Sequence, residues 1–365
     1  MENKNKSKSS KINLSQLVLL GLGSLIGSGW LFGAWEASSI AGPAAIISWI
    51  IGFIVIGTIA YNYIEIGTMF PQSGGMSNYA QYTHGSLLGF IAAWANWVSL
   101  VTIIPIEAVS AVQYMSSWPW EWAKPMGALM KDGSISTIGL FAVYVIIAIF
   151  SLLNYWSVKL LTSFTSLISV FKLGVPLLTI IMLMISGFDT NNYGHSASAF
   201  MPYGSAPIFA ATTTSGIIFS FNAFQTIINM GSEIKNPEKN IARGIAISLT
   251  LSAILYIVLQ STFITSMPSS MIHEHGWNGI NFNSPFADMA ILLGINWLAI
   301  LLYVEAVVSP FGTGVSFVAV TGRVLRAMEK NGHIPKFLGK MNEQYNIPRV
   351  AIAFKDRKST RLNSS

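Results

Sequence analysis

Apolar stretches of about 20 residues or more recur along this chain, and each is long enough for a helix that crosses a bilayer. Only 10% of the residues are charged, whereas a soluble domain has roughly 25%. The two observations together predict an all-α integral membrane protein. Its eight predicted spans lie near residues 14–35, 43–69, 87–115, 135–154, 158–186, 206–230, 242–267 and 295–327.

Basic residues predict the orientation, because Lys and Arg concentrate in cytoplasmic loops. With a cytoplasmic N-terminus, the alternating spans leave only Lys124 and Lys131 in the outer loops. The net charge of +6 then reflects topology and attraction to anionic lipid, so we expect a multi-pass protein of the cell membrane and no nucleic-acid partner. The basic residues assigned to the cytoplasmic side are Lys4, Lys6, Lys8, Lys11, Lys159, Lys235, Lys239, Arg243, Arg323, Arg326, Lys330, Lys336, Lys340 and Arg349.

The first span contains the stretch GSLIGSGWLFG at residues 23–33, with four glycines and two serines. Glycine weakens a helix, and lipid offers no hydrogen-bond partners to a loosened backbone. The stretch therefore predicts a discontinuous helix, whose free N–H groups can bind a carboxylate and whose free carbonyls can bind an ammonium group. The alternative is close helix packing through the small residues Gly23 and Gly27.

Two short sequences recur five spans apart. SLIGSGWLF (24–32) in span 1 resembles GIIFSFNAF (216–224) in span 6, and PIEAVSA (105–111) in span 3 resembles YVEAVVSP (303–310) in span 8. An inverted repeat of five plus five spans predicts this offset and a second discontinuity in span 6. Chance similarity between apolar segments is the alternative.

Three ionisable residues lie in the middle of predicted spans, where such residues are costly and usually functional. Lys172 lies in span 5, far from either interface. A desolvated lysine releases its proton more readily, so Lys172 is a candidate carrier of a coupling proton; a structural role beside helix-end carbonyls is the alternative. Glu107 and Glu305 are candidates for a proton site or gate, and neutral, hydrogen-bonded carboxyl groups are their alternative.

Longer motifs resemble the amino acid–polyamine–organocation (APC) superfamily of amino-acid permeases. The resemblance covers residues 13 to about 354, and within the superfamily LNYWSVK (153–159) and ISVFKLGVP (168–176) are most similar to the aspartate–proton symporter branch. The motifs that carry the superfamily resemblance are LGSLIGSGWLFG, AGPAAIISWIIG, PQSGGMSNYA (71–80), SEIKNPEKNIARGI (232–245) and GRVLRAMEKNGHIPKFLGKMN (322–342).

The resemblance implies an inverted-repeat (5+5) transporter fold with discontinuous spans 1 and 6, and alternating access to a central site. It implies that the substrate carboxylate meets the span 1 amides of Ser28 and Gly29, beside Gly27. The substrate amine would meet carbonyls at Leu25, Phe219 and Asn222. This chain has no glycine at residues 221–223, where many superfamily members carry one, so the position of the span 6 break stays open.

The leading hypothesis is a secondary transporter that moves an acidic amino acid such as aspartate or glutamate with H⁺ as the coupling ion and without a metal or organic cofactor. The two buried glutamates favour a permease or exchanger for neutral or cationic amino acids as the alternative. A substrate sensor built on a transporter scaffold is a further alternative. We do not expect an enzyme, because the sequence has neither an HExxH pattern nor a nucleophile–base motif.

The chain is predicted to comprise a basic N-terminal segment (1–13), a transmembrane permease domain (14–355) and a tail (356–365). VAIAF (350–354) begins like a ninth span, but the polar KDRKSTRLNSS follows at once. We therefore expect a truncated transporter with a foreign tail that does not transport by itself. A natural eight-span protein with a polar tail is the alternative.

Overall fold

The protein is described by a computed structural model for residues 11–156 and 158–339. The predicted tail at 356–365, the apolar run at 350–354 and the basic residues Lys4, Lys6, Lys8, Lys340 and Arg349 lie outside the described residues. The helices are α1 (Leu14–Leu25), α2 (Gly29–Ala41), α3 (Ala45–Met69), α4 (Met76–Ser116), α5 (Thr137–Trp156), α6 (Val158–Ser186), α7 (Ala197–Phe200), α8 (Ala206–Thr214), α9 (Ile217–Phe221), α10 (Gln225–Asn229), α11 (Pro237–Ser266), α12 (Ser269–Gly279), α13 (Pro285–Leu292), α14 (Asn296–Lys330) and α15 (Lys336–Gly339). A two-stranded antiparallel hairpin, β1 (Met130–Lys131) and β2 (Ser134–Ile135), lies between α4 and α5.

The helices coincide with the predicted spans and confirm an all-α membrane fold. Among the described residues, five helical stretches are long and apolar enough to cross a membrane, and three further apolar helices are shorter. The long stretches are Gly29–Met69, Met76–Ser116, Thr137–Asn154, Pro237–Ser266 and Asn296–Lys330, and the shorter helices are Leu14–Leu25, Phe171–Ser186 and Ile217–Asn229.

Span 1 is discontinuous, as the glycine-rich stretch predicts. Helix α1 begins with a capping box, in which Asn13 and Gln16 each accept a backbone N–H of the other. It ends at Leu25, and Ile26 then leaves the helical conformation with ψ of 82°. Helix α2 begins at Gly29, so residues 26–28 form a short unwound segment within the span.

Span 6 is broken earlier than the FSFNAF segment (219–224). Helix α8 ends at Thr214, and Gly216 adopts a left-handed conformation with φ of 77° before α9 begins. Glycine adopts positive φ without the steric cost that other residues meet. A 3₁₀ turn at Asn222–Phe224 then separates α9 from α10. The break therefore depends on Gly216, and the FSFNAF segment contributes a second, milder irregularity.

Span 3 belongs to a longer helix than its predicted range of 87–115. Helix α4 starts at Met76 and contains a sharp bend at Gly85, whose φ is 77°. The first turns of α4 lie within the PQSGGMSNYA motif (71–80). Ser77 in these turns accepts a hydrogen bond from the side chain of Asn96 beyond the bend, at 3.1 Å.

The helices pack as two groups. Spans 1, 2, 6 and 7 form the first group, in which α11 packs on α1 and α3, while α8 and α9 pack on α2 and α3. Spans 3, 4, 5 and 8 form the second group, in which α14 packs on α4, α5 and α6. Both broken spans lie in the first group, and the three ionisable residues singled out above lie in the second.

Contacts between loops mark two opposite faces of the structure. We call the face that holds Arg323 and Lys235 the basic face. There, residues Ile12, Gly74 and Arg323 contact the segment 229–235 that follows span 6. On the opposite face, Trp35 donates to the carbonyl of Ile280 at 2.8 Å.

Candidate functional site

A small cavity lies between the two helix groups at the level of the breaks, with room for about one water molecule. Both broken spans of the first group line it, and α4 and α14 of the second group close its other side. The lining residues are Ser24, Leu25, Gly27, Gly29, Ile103, Glu107, Phe219, Ser220, Ala223, Thr313 and Phe317. Four of the six predicted substrate-binding residues are therefore at the cavity, and Ser28 and Asn222 adjoin them in sequence.

The unwound segment of span 1 already holds a carboxylate. The backbone N–H of Ser28 donates to Glu107 Oε2 at 3.1 Å, and Oε1 of the same group lies 3.4 Å away. Glu107 is a buried residue of α4. The N–H of Gly29 comes next, at the first position of α2, where a helix leaves its N–H groups without intrahelical partners. The geometry thus supports the prediction that this segment binds carboxylates.

At Gly27 and Gly29, the two glycines that line the cavity, the missing side chain leaves space for a neighbouring polar group. A Cβ atom at Gly27 would overlap the carboxylate of Glu107, and one at Gly29 would lie 2.7 Å from Ser220 Oγ. The two glycines therefore allow the first helix group to approach α4 on one side and span 6 on the other.

The carbonyl of Leu25, a predicted ligand of the substrate amine, has two hydrogen-bond donors. Gly27 N–H donates to it at 3.0 Å, and the hydroxyl of Tyr256 in α11 donates at 2.7 Å. Sequence analysis did not single out Tyr256, because a tyrosine in an apolar span resembles an ordinary core residue. A substrate amine would have to compete with Tyr256 for this carbonyl.

The other two predicted amine ligands lie on span 6. Phe219 lines the cavity, and its carbonyl accepts the backbone N–H of Asn222. The Asn222 side chain donates to Ser99 Oγ at 3.2 Å and accepts from Gln225 Nε2 at 2.6 Å. Asn222 thereby connects span 6 to span 3 just beyond the cavity.

Lys172 is buried and reaches span 1 from α6. Its Nζ donates to the carbonyl of Gly23 at 2.7 Å and to Thr313 Oγ1 on α14. It is also close enough to Glu107 and Glu305 to interact with both electrostatically. The three predicted coupling residues thus form one cluster of ionisable side chains beside the break in span 1. The helix-end carbonyl contact also fits the alternative structural role.

Glu305 differs from Glu107 in its surroundings. It is fully buried on α14, and its carboxylate has no hydrogen-bond partner other than Ser309 among the described residues. It does not line the cavity.

The family follows from a match between residues 12–355 and the model of a family described as amino acid permease. The chain belongs to this family. The permease is 52% identical to the glutamate/serine transporter AimA of Bacillus subtilis, over 93% of this chain and 62% of that protein. It is 36% identical to the aspartate-proton symporter of the same organism, over 93% of this chain and 64% of that protein.

More distant relatives have other substrates in their names. The permease is 26% identical to the branched-chain amino acid permease BcaP of Bacillus subtilis, over 98% of this chain and 75% of that protein. These matches confirm the predicted superfamily, and they are matches to permeases rather than enzymes. The chain spans somewhat less than two thirds of the length of the glutamate/serine and aspartate relatives.

Proposed function

We propose that this protein is a secondary transporter that moves acidic or small polar amino acids together with protons by alternating access. The names of its relatives support the substrate class, since one is a glutamate/serine transporter and another an aspartate-proton symporter. We also propose that the basic face is cytoplasmic, which places the N-terminus inside the cell.

The contact between Glu107 and Ser28 is the observation that carries the proposal. A buried carboxylate occupies the amide at which the substrate carboxylate is expected. Charge-assisted hydrogen bonds to backbone N–H groups are strong, so an incoming carboxylate can replace Glu107 there at little net cost. The substrate would then hold Ser28 and Gly29, and Glu107 would turn away.

Displacement of Glu107 supplies a physical link to protons. A buried carboxylate that loses its donor must find another partner or take up a proton. Lys172 is the nearby cation, and it already interacts with Glu107 electrostatically. A change of substrate occupancy at Ser28 therefore changes the charge balance at Lys172, which we propose carries the coupling proton.

Lys172 also weakens the electrostatic objection to an acidic substrate, which favoured a permease for neutral or cationic amino acids. That alternative was based on repulsion between an anionic substrate and the glutamates. Lys172 provides a compensating positive charge beside Glu107, and the relative named for glutamate and serine shows that both substrate types occur in one similar protein.

Uptake by the full-length protein in proteoliposomes tests the proposal. We expect labelled glutamate, aspartate or serine to accumulate under an inward proton gradient and not under a sodium gradient alone. Lys172→Ala should abolish this accumulation, whereas Lys235→Ala, a matched change on the basic face, should preserve it. Undiminished proton-driven uptake by Lys172→Ala would exclude the coupling role.

A binding assay tests the exchange of carboxylates separately. Glu107→Gln removes the competing anion, so substrate affinity should rise and depend less on pH than in the unmodified protein. An amino-acid amide without a free α-carboxylate should bind to neither form. Equal affinity for the amide and the acid would show that the substrate carboxylate does not bind at the span 1 break.

A further inference from the structure

Glu305 and Ser309 are two buried polar residues for which the coupling scheme above has no use. Both are fully buried on α14. Apart from each other, neither the carboxylate of Glu305 nor the hydroxyl of Ser309 has a hydrogen-bond partner in the described part of the chain. Unpaired buried polar atoms are costly, so their retention calls for an explanation.

The two residues belong to a polar stripe that ends at Lys172. Glu305, Ser309 and Thr313 follow one another at intervals of four residues and so lie on the same face of α14. Thr313 accepts a hydrogen bond from Lys172 Nζ, and its own hydroxyl is 3.4 Å from the carbonyl of Ser309. Glu305 lies about 12 Å along the helix axis from Thr313, the residue of the stripe that contacts Lys172, at 1.5 Å per residue.

The balance of charge indicates which acid holds a proton. Glu107 receives the N–H of Ser28 and balances the charge of Lys172. A third charge on Glu305 would have to share Lys172 with Glu107, and an unbalanced buried charge is strongly unfavourable. As a neutral acid, Glu305 gains a hydroxyl donor, and Ser309 Oγ on the next turn is an acceptor for it.

We propose that Glu305 and Ser309 form a second proton station, which rests on the proposed proton-coupled transport. In this scheme Glu305 is a neutral carboxylic acid and Lys172 an ammonium group. When Lys172 has given up its proton, Glu305 supplies another to it along the polar face of α14 that Ser309 and Thr313 form. One O–H bond breaks at Glu305 and one N–H bond forms at Lys172, which leaves a carboxylate and an ammonium group.

Other ionisable groups around α14 also contribute to the electrostatic environment of Glu305 and Ser309. Lys172 is the cation that interacts with Glu305. The other titratable side chains that interact here are Glu107 and Tyr114 on α4, Asp288 on α13 and Tyr303 on α14 itself. Helix α5, which also packs against α14, carries Tyr144.

Infrared spectroscopy of the purified chain tests the station directly. A protonated carboxyl group gives a C=O stretching band that is separate from the carboxylate bands and shifts in D₂O. We expect such a band at neutral pH, lost in Glu305→Gln but retained in Asp288→Asn and in Glu65→Gln, which changes an exposed glutamate of α3. A band that persists in Glu305→Gln, or disappears in Asp288→Asn instead, would overturn the proposal.

Ser309→Ala provides a second variant that leaves the acid in place. Removing the acceptor should shift the band, as expected for a carboxyl group that loses a hydrogen bond, without abolishing it. An unshifted band would refute the pairing with Ser309, even if Glu305→Gln proved too unstable to purify. These outcomes do not depend on transport, so failure of proton-driven uptake would overturn the proposed function while leaving this assignment to its own test.

Discussion

Gly29 and Ser220 offer a sharp test of how spans 1 and 6 meet. A methyl group at Gly29 would lie 2.7 Å from Ser220 Oγ, whereas the next nearest atom, Ser220 Cβ, would be 3.8 Å away. Gly29→Ala should therefore force the two broken spans apart through one oxygen atom. Ser220→Ala removes that oxygen and leaves an ordinary van der Waals contact, so the double variant should recover.

The expected effect of Gly29→Ala on substrate affinity can be estimated from the free-energy cost of overpacking. Insertion of a methyl group into a packed site costs about 1–3 kcal/mol. If this cost falls on the state that binds substrate, affinity should decrease by about 5- to 150-fold. Ser220→Ala alone loses its hydrogen bond to the carbonyl of Gly216, which measures 2.9 Å, at a cost of about 0.5–1.5 kcal/mol. The coupling energy of the double-mutant cycle should then be at least about 1 kcal/mol.

Equilibrium binding of labelled glutamate or serine to the four purified forms measures the cycle, and thermal unfolding shows that each form is folded. We expect the double variant to bind within a few-fold of Ser220→Ala. The reasoning would be refuted if Gly29→Ala weakened binding equally in both backgrounds. The methyl group would then act on the substrate or the N–H of Gly29 rather than on span 6.

Three further predictions concern packing, a surface ion pair and pH. Gln260→Leu should lower the free energy of unfolding by about 1–3 kcal/mol, because it leaves Trp49 Nε1 buried without its acceptor; denaturant titration measures this. Arg323→Gln should lower the free energy of unfolding by less than about 1 kcal/mol, because the ion pair between Arg323 and Glu233 is partly exposed. The same substitution should increase the rate at which a thiol reagent alkylates a cysteine placed at Asn229, in a chain that has no cysteine of its own. Burial lowers the pKa of the His333 imidazole, so the unfolded chain binds a proton at His333 more tightly than the folded chain does. The free energy of unfolding should therefore fall as the pH drops below about 6.5. Thermal melts at pH 5 and pH 7 should show a smaller loss of stability for His333→Phe.

Each of these has an outcome that contradicts it. Trp49→Phe combined with Gln260→Leu should be more stable than Gln260→Leu alone, and no recovery would show that Trp49 is not the source. Glu233→Gln should speed alkylation as Arg323→Gln does, and additive effects in the double variant would argue against a shared contact. Equal acid sensitivity with and without His333 would assign the pH effect to other groups.

Span positions and the first break were predictable because they are local properties of the sequence. Hydropathy over about 20 residues locates a span, and a cluster such as Gly23, Gly27 and Gly29 marks a weakened helix. Gly216 was not identified as the break in span 6, because a single glycine in an apolar stretch is also compatible with an intact helix. Its positive φ depends on how α8 and α9 pack against α2 and α3.

The contacts of the site could not be read from the sequence. Glu107 and Ser28 are 79 residues apart, and Lys172 and Gly23 are 149 apart. Their meeting depends on which helices become neighbours, and hydropathy carries little information on that choice. The sequence analysis also assigned both glutamates the same candidate role, whereas in the structure Glu107 receives a backbone N–H and Glu305 does not.

The pairing at the start of the chain has a mechanical consequence. Ile12 donates to the carbonyl of Glu233 and accepts from the N–H of Lys235, each at 2.9 Å. Because these bonds use only backbone atoms, side-chain substitutions at the three positions leave them in place. Helix α1 also packs against α10, so the two half-helices that reach the basic face are fastened together at their ends. The two half-helices should therefore move together in a conformational change. A fusion partner ahead of residue 12 leaves the backbone pairing intact, whereas deletion through residue 12 removes it and lets each half-helix move separately.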